Sequence, residues 1–280
     1  MAIKRVAVTG ANGMLGRELC DYLSLKGVDV LRLSREHCDL LATGDTLLRA
    51  FEGFEPQVIL HAAAMTNVDA AETQPELAMA INKDGTQKLI DVAKAFDCVL
   101  AYISTDYVFD GEQQIPYTID QRPKPINAYG LSKYYGELLV QEQLDMAYII
   151  RTSWLFGRHR RNFVDIVISH LKTGQPMPVV SDQVGSPSWT GSVVAQIEQI
   201  IQSGRYGIYH AVSEGMASRL EQAQTIARAL QLSEDVLTPI SRVALNSKTP
   251  RPRFTALNPA PLAAPHWQTS LEAYLTQAHR

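Results

Sequence analysis

"VTGANGMLGREL", residues 8–19, sets Gly10, Gly13 and Gly16 where a short β-like run, "IKRVAVTG" (3–10), gives way to a helical pattern over about 13–26. Glycines at this GxxGxxG spacing allow a tight turn, a close backbone approach to a pyrophosphate and close packing of the helix, whose N-terminus favours negative charge. A glycine-rich turn without a ligand looks the same in isolation, so the surroundings decide. Apolar, β-branched runs recur at 28–34, 56–64, 98–104 and 147–153, and helical periodicity fills about 43–52, 75–96 and 128–143. That alternation predicts an α/β fold: a doubly wound, Rossmann-like parallel sheet with right-handed crossovers and helices on both faces.

After Trp154 the rhythm loosens. Helices are expected near 162–173, 191–203, 218–231 and 267–279, with a strand "GIYHAV" (207–212) and Pro/Gly-rich stretches between them. The division expected is a nucleotide-binding domain over 1–155 and a smaller, mostly C-terminal substrate-binding lobe over 156–280, with 191–211 returning to the main sheet. A chain of 280 residues that is 46% hydrophobic can bury such a core. Its formal charge of −3 leaves no basic footprint, so no nucleic acid and no membrane surface is expected as partner. Cys20, Cys38 and Cys98 show no CxxC spacing and read as reduced thiols. The first run is too short for a signal segment, and no later stretch reaches about 18 apolar residues, so the cytoplasm is the expected location.

An NAD site wants an acid at the end of the second strand, to bond the ribose 2′-hydroxyl. Here Ser34 and Arg35 stand at that tip, which suits a 2′-phosphate and favours NADP(H), with NADH left open; simple solvation is the alternative for Arg35. Asp39 and Leu40 would frame the adenine. "AYISTDYVFDG" (101–111) carries a strand into Ser104, Thr105 and Asp106, where the ligands of open α/β sheets gather. In "NAYGLSKYYGE" (127–137) Asn127 caps a helix and Tyr129 and Lys133, four apart, share one face. An ammonium beside a phenol favours phenolate, so the Tyr129 pKa is expected to fall toward working pH and the pair to move a proton.

Taken together, Gly10-x-x-Gly13-x-x-Gly16, a hydroxyl residue after the fourth strand and Tyr129-x-x-x-Lys133 resemble the extended short-chain dehydrogenases/reductases. "AAAMTNVDAAE", "STDYVFDG", "RTSWLFG", "SDQVGSP" and "RPRFTALN" narrow the likeness to the dTDP-4-dehydrorhamnose reductase subfamily, over essentially the whole chain. The resemblance implies NADPH-dependent reduction of the C4 ketone of dTDP-4-dehydro-L-rhamnose to dTDP-L-rhamnose. Tyr129 would donate the proton, Lys133 would hold the nicotinamide ribose and Thr105 would bond the C4 oxygen. Asn12, Met14 and Leu15 of the glycine loop, and Ala62, Ala63, Ala64 and Thr66 after the third strand, complete the implied cofactor set.

Substrate contacts implied are Val68, Asp69, Asp106, Trp154, Asn162 and Phe163, with Arg160 and Arg253 as candidates for the diphosphate. The alternatives are a helix N-cap for Asp69, core packing for Trp154, a buried helix face for Phe163 and solvated basic turns for the arginines. Ile119 departs from the subfamily, where Glu is frequent. Glu18 matches one position of a magnesium-linked dimer seen in relatives, but Ser192 occupies the partner position, so no metal is expected and a homodimer is left open. Two other enzymes are disfavoured: a dehydratase, because Tyr107 follows Asp106 where Glu is needed, and an NAD-retaining epimerase, because of Ser34 and Arg35. Another nucleotide-sugar 4-ketoreductase stays open. So does a non-catalytic NADP(H)-binding regulatory subunit like that of methionine adenosyltransferase, which keeps the glycine loop and Tyr-x-x-x-Lys but not "RTSWLFG" or "SDQVGSP".

Overall fold

The computed structural model describes residues 3–245 and 248–278. The last residue of the helix expected over 267–279 lies outside them. Its centre is a six-stranded parallel sheet in the order β10-β5-β4-β3-β1-β2. The strands are β1 (Arg5–Thr9), β2 (Asp29–Leu33), β3 (Val58–His61), β4 (Val99–Thr105), β5 (Ala147–Thr152) and, entering late, β10 (Gly207–His210). Every residue of β3 and β5 is buried, as expected of strands covered on both faces. Strand β2, half exposed, closes one edge.

Helices α1 (Met14–Leu25) and α8 (Thr190–Gln202) cover one face, where Leu15, Leu19 and Leu23 meet Val193, Ile197 and Ile200. On the other lie α2 (Gly44–Arg49), α5 (Gly85–Ala95) and α6 (Ala128–Gln143), which bury Leu47, Leu89 and Val140. The helix expected over 75–96 is built in three parts: α4 (Pro75–Met79), one π-turn (Ala80–Asp84) and α5, preceded by α3 (Val68–Thr73). Asn82 in the π-turn takes Met65 N–H on its Oδ1 at 2.8 Å and donates to Met65 O and Ser132 Oγ, so the irregular turn carries tertiary bonds that a straight helix would not.

From β1 the chain winds outward to β2, then crosses back to β3, β4 and β5. The order therefore reverses between β1 and β3, and the crevice at their carboxyl ends is the position for a ligand.

The remaining elements enclose a second core around Val164, Ile168, Ile226 and Tyr274. They are α7 (Phe163–Thr173), α9 (Arg219–Ala229), α10 (Trp267–Ala278) and short strand pairs: β6 (Leu155–Phe156) with β9 (Ser188–Trp189), β7 (Met177–Val180) with β12 (Leu237–Ile240), and β8 (Val184–Gly185) with β11 (Ala217–Ser218). The expected strand 207–212 stops at His210: Ala211 N–H makes the last ladder bond, to Arg151 O of β5, and beyond it Ser213 N–H turns away to Ser188 Oγ. Among the described residues no helix is long and apolar enough to cross a membrane.

Candidate active site

A cavity of about 1030 Å³ opens at the crevice. Gly10 has φ +70°, and a Cβ there would come within 2.7 Å of Ala63 N, so the strand ends in a turn that only glycine makes without strain. Gly16 lies so close under the loop that a Cβ would collide with Gly10 O at 2.2 Å. Helix α1 starts at Gly13 with no side-chain acceptor for its first N–H groups. These orphan donors face the cavity wall formed by Gly13, Met14, Leu15 and Gly16, and they suit a phosphate group. The residues present thus fit a dinucleotide.

Asn12, Ala62, Ala63, Ala64, Thr66, Val68 and Leu40 line the same cavity. At the β2 tip, Arg35 and Asp39 line it too and pair with each other at 3.5 Å. Ser34 does not. It is buried, with its hydroxyl 2.9 Å from His37 Nδ1.

The far end of the cavity is built by β4 and α6. Thr105, at the end of β4, accepts from Tyr107 N–H and donates to Asp106 Oδ1 at 3.0 Å. Asp106 Oδ2 accepts from Ser153 Oγ at 2.9 Å. Burial pushes the Asp106 carboxyl up, against the pull of Thr255, Ser153 and Thr105 hydroxyls. Asn127 caps α6 through Gly130 N–H at 2.8 Å and donates to Pro250 O, tying the helix start to the C-terminal segment. A Cβ on Gly130 would reach 2.1 Å from Tyr107 O, so the helix rides directly on the turn after β4. Thr105, Tyr129 and Lys133 consequently share one cavity wall.

The charge relation inside the pair differs from the expectation. Burial dominates the Tyr129 phenol and holds its pKa above the ordinary value; the Thr105 hydroxyl opposes, Asp106 and Tyr107 reinforce, and Lys133 is not among the groups that set it. Lys133 is itself buried, with Nζ 4.0 Å from the centre of the Tyr102 ring, and desolvation lowers its pKa to about 7 against the pull of Glu137. At that pH the lysine carries its charge only part of the time, which weakens its pull on a neighbouring phenol.

Trp154 lines the cavity in a left-handed backbone conformation, φ +43°, that a bulky side chain adopts only when the surroundings enforce it. Gly185 supplies the room: a Cβ there would stand 2.4 Å from the indole. Asn162 is turned away, as the cap of α7, accepting from Val164 N–H and donating to Gly157 O, Arg160 O and Asp165 Oδ2. Its neighbour Arg160 lines the large cavity. Glu18 is held by Arg158 at 2.9 Å and His159 at 3.2 Å.

A second, smaller cavity of about 400 Å³ is lined by Asp69, Phe163, Val179 and Gln183, among others. Tyr107, Arg219 and Arg251 belong to both walls. Arg251 grips both Asp69 oxygens at 2.8 Å. The helix α3 that carries Asp69 is capped by Asn67, not by Asp69. Arg253 is exposed and lines neither cavity; Arg251, two residues earlier in "PRPRF", lines both instead, held there by Asp69. Arg219 gave no signal in the sequence beyond a helix start at "SRL", and only the folded position makes it conspicuous.

A phosphate-ready loop and a Tyr–Lys helix meeting over one switch-point crevice correspond to the Rossmann-like reductases as a class. Residues 4–280 match the RmlD substrate binding domain, and the chain belongs to that family. It is 38% identical over 259 residues to a dTDP-4-dehydrorhamnose reductase of Mycolicibacterium smegmatis, covering 91% of this chain and 78% of that one. It is 34% identical over 255 residues to a dTDP-4-keto-6-deoxy-D-glucose reductase of Streptomyces niveus, covering 90% and 88%. Among solved structures it superposes on a Bacillus anthracis dTDP-4-dehydrorhamnose reductase in complex with NADP, with TM-score 0.94, 32% identity and coverage of 99% and 100%.

Proposed function

We propose that this protein is a cytoplasmic, NADPH-dependent reductase of the C4 ketone of a dTDP-4-keto-6-deoxysugar, converting dTDP-4-dehydro-L-rhamnose to dTDP-L-rhamnose. The observation that carries this reading is the convergence of Thr105, Tyr129 and Lys133 on the cavity whose other end is the glycine loop. When bound, NADPH supplies the hydride that reduces the carbonyl carbon. Gly13 to Gly16 would hold its pyrophosphate at the α1 N-terminus, and Arg35 would take its 2′-phosphate.

Tyr129 then gives its phenolic proton to the oxygen of the reduced carbonyl. Because burial keeps that proton on the phenol, the donor is loaded throughout the working pH range. Thr105, whose hydroxyl already rests on Asp106, orients the ketone oxygen. Lys133 would hold the nicotinamide ribose, and Trp154 would offer the deoxysugar an apolar wall. The nucleotide end of the substrate runs through the shared wall of Tyr107, Arg219 and Arg251 into the smaller cavity, whose volume of about 400 Å³ admits a nucleoside.

The test is a panel of dTDP-, UDP- and CDP-4-keto-6-deoxysugars with NADPH and NADH, followed by loss of reduced-cofactor absorbance. Turnover with the dTDP-4-dehydro-L-rhamnose and NADPH pair is expected. Faster turnover of the epimeric 4-keto-6-deoxyglucose would move the substrate to that of the Streptomyces niveus relative. Cofactor binding with no turnover on any sugar would favour the regulatory subunit.

A further inference from the structure

Two arginines stand where the cavities join, within electrostatic range of each other, and like charges so placed are relieved by an anion. Their states differ. Arg251 spends its charge on Asp69. Arg219 forms no ion pair among the described residues. Its guanidinium lies 3.5 Å from the centre of the Trp154 ring and 4.8 Å from that of Phe163, and one nitrogen donates to Gln222 Oε1 at 3.0 Å. A planar cation held between two ring faces keeps the rest of its N–H edge for a ligand, and a forked edge of that kind matches phosphate oxygens two at a time. Burial lowers its pKa to about 10, with Tyr107 and Asp106 acting against the fall, so it stays charged at neutral pH.

The backbone is fixed as firmly as the side chain. Arg219 opens α9 directly after Ser218, whose hydroxyl and the Glu221 carboxylate close a reciprocal cap. Arg160 and Arg161 line only the large cavity, and Arg253 lines neither, so no other unpaired arginine among the described residues reaches both.

We propose that Arg219 is a specificity-determining residue: clamped between Trp154 and Phe163 at the cavity junction, it takes the diphosphate of a nucleoside-diphosphate sugar on its free edge. Through its stack on Trp154 it also links nucleotide binding to the seating of the sugar. The inference rests on the nucleotide-sugar reading above, and it explains why a tryptophan is held in a strained backbone at this point: its ring face is needed on both sides.

Calorimetry with thymidine, dTMP and dTDP tests it in the wild-type chain and in Arg219→Gln and Arg219→Met, with NADP+ binding as the check on folding. Arg219→Met keeps an apolar stem between the rings and serves should the glutamine variant fail to hold NADP+. The expected result is a loss of roughly 10- to 100-fold in dTDP affinity, with thymidine affinity unchanged. With the intact substrate, KM should rise by a similar factor while kcat falls less. A variant that keeps the wild-type preference for dTDP over thymidine overturns the inference and leaves the nucleotide-sugar reading standing. A wild-type chain that shows no such preference overturns both.

Discussion

Lys133 is 2% exposed and has no carboxylate within ion-pair distance among the described residues; its ammonium rests on the Tyr102 ring face, and Tyr102 Oη donates to the lysine's own carbonyl at 3.1 Å. Desolvation brings its pKa from 10.5 to about 7. Between those two values the unfolded chain binds a proton that the folded chain does not, so stability rises with pH across the window; the penalty is present in full below about 7 and is relieved toward 10.5. Lys133→Met should therefore stabilise the fold by on the order of a few kcal/mol at about pH 6 and by much less at about pH 10, read from urea midpoints. Equal gains at both pH values would show that the ammonium carries no such cost. The opposite logic governs Tyr129, whose burial stores the proton it is to donate. Tyr129→Phe should slow reduction by roughly two to four orders of magnitude and leave NADP+ affinity intact. Near-normal turnover would transfer proton donation to another group, with Thr105 first in line.

Helix α6 is fastened to β5 by one buried pair, Glu137 with Arg151, at 2.9 and 2.7 Å, with side-chain exposures of 0% and 1%. Removing one partner strands a charge in the core, whereas replacing both with apolar groups of similar size removes the desolvation cost as well. Arg151→Met alone should cost about 3–5 kcal/mol, and the double variant Glu137→Leu with Arg151→Met should recover most of it; a double variant as unstable as the single one would make the pair a genuine source of stability. The same elements show what is readable from local pattern. Strands such as "VILH" and the cap-then-helix of "NAYGLSK" announce themselves, because burial on both faces and an Asn before a helix act over a few residues. Thr105, Tyr129 and the glycines sit at or beside the ends of such elements, with Lys133 one helical turn beyond Tyr129, and they were legible for that reason. The π-turn at 80–84 was not, since it depends on Asn82 finding Met65 and Ser132. Neither was β12, whose "LTPI" pairs with a strand some 60 positions earlier. Asn162 misled: an Asn before a helix satisfies that helix first.

At the scale of the molecule, the site is completed by chain that arrives late. The segment around Pro250 to Phe254 crosses to the main sheet's side, where Pro250 O accepts from Asn127 and Arg251 grips Asp69, while Phe254 bridges to Val184. No local pattern foretells which arginine of "PRPRF" such a crossing turns inward, and that is why Arg253 stood in the sequence for a place Arg251 occupies. Asp69 lines only the smaller cavity, so its part is to hold Arg251 rather than to touch the reacting carbon. The pair is partly open to water, 61% and 27% exposed, and is worth at most about 1 kcal/mol to the fold. Its effect on the substrate is expected to be larger. Asp69→Asn and Arg251→Met should each raise KM for the dTDP-sugar roughly tenfold, a loss of one good charge-assisted bond, while unfolding midpoints and NADP+ affinity hold steady. If Asp69 works only through Arg251, the two losses do not add, and the double variant should bind substrate no worse than Arg251→Met alone. Additive losses would mean that each side chain meets the substrate separately, and the late-arriving segment would then be a second set of contacts instead of one positioned cation.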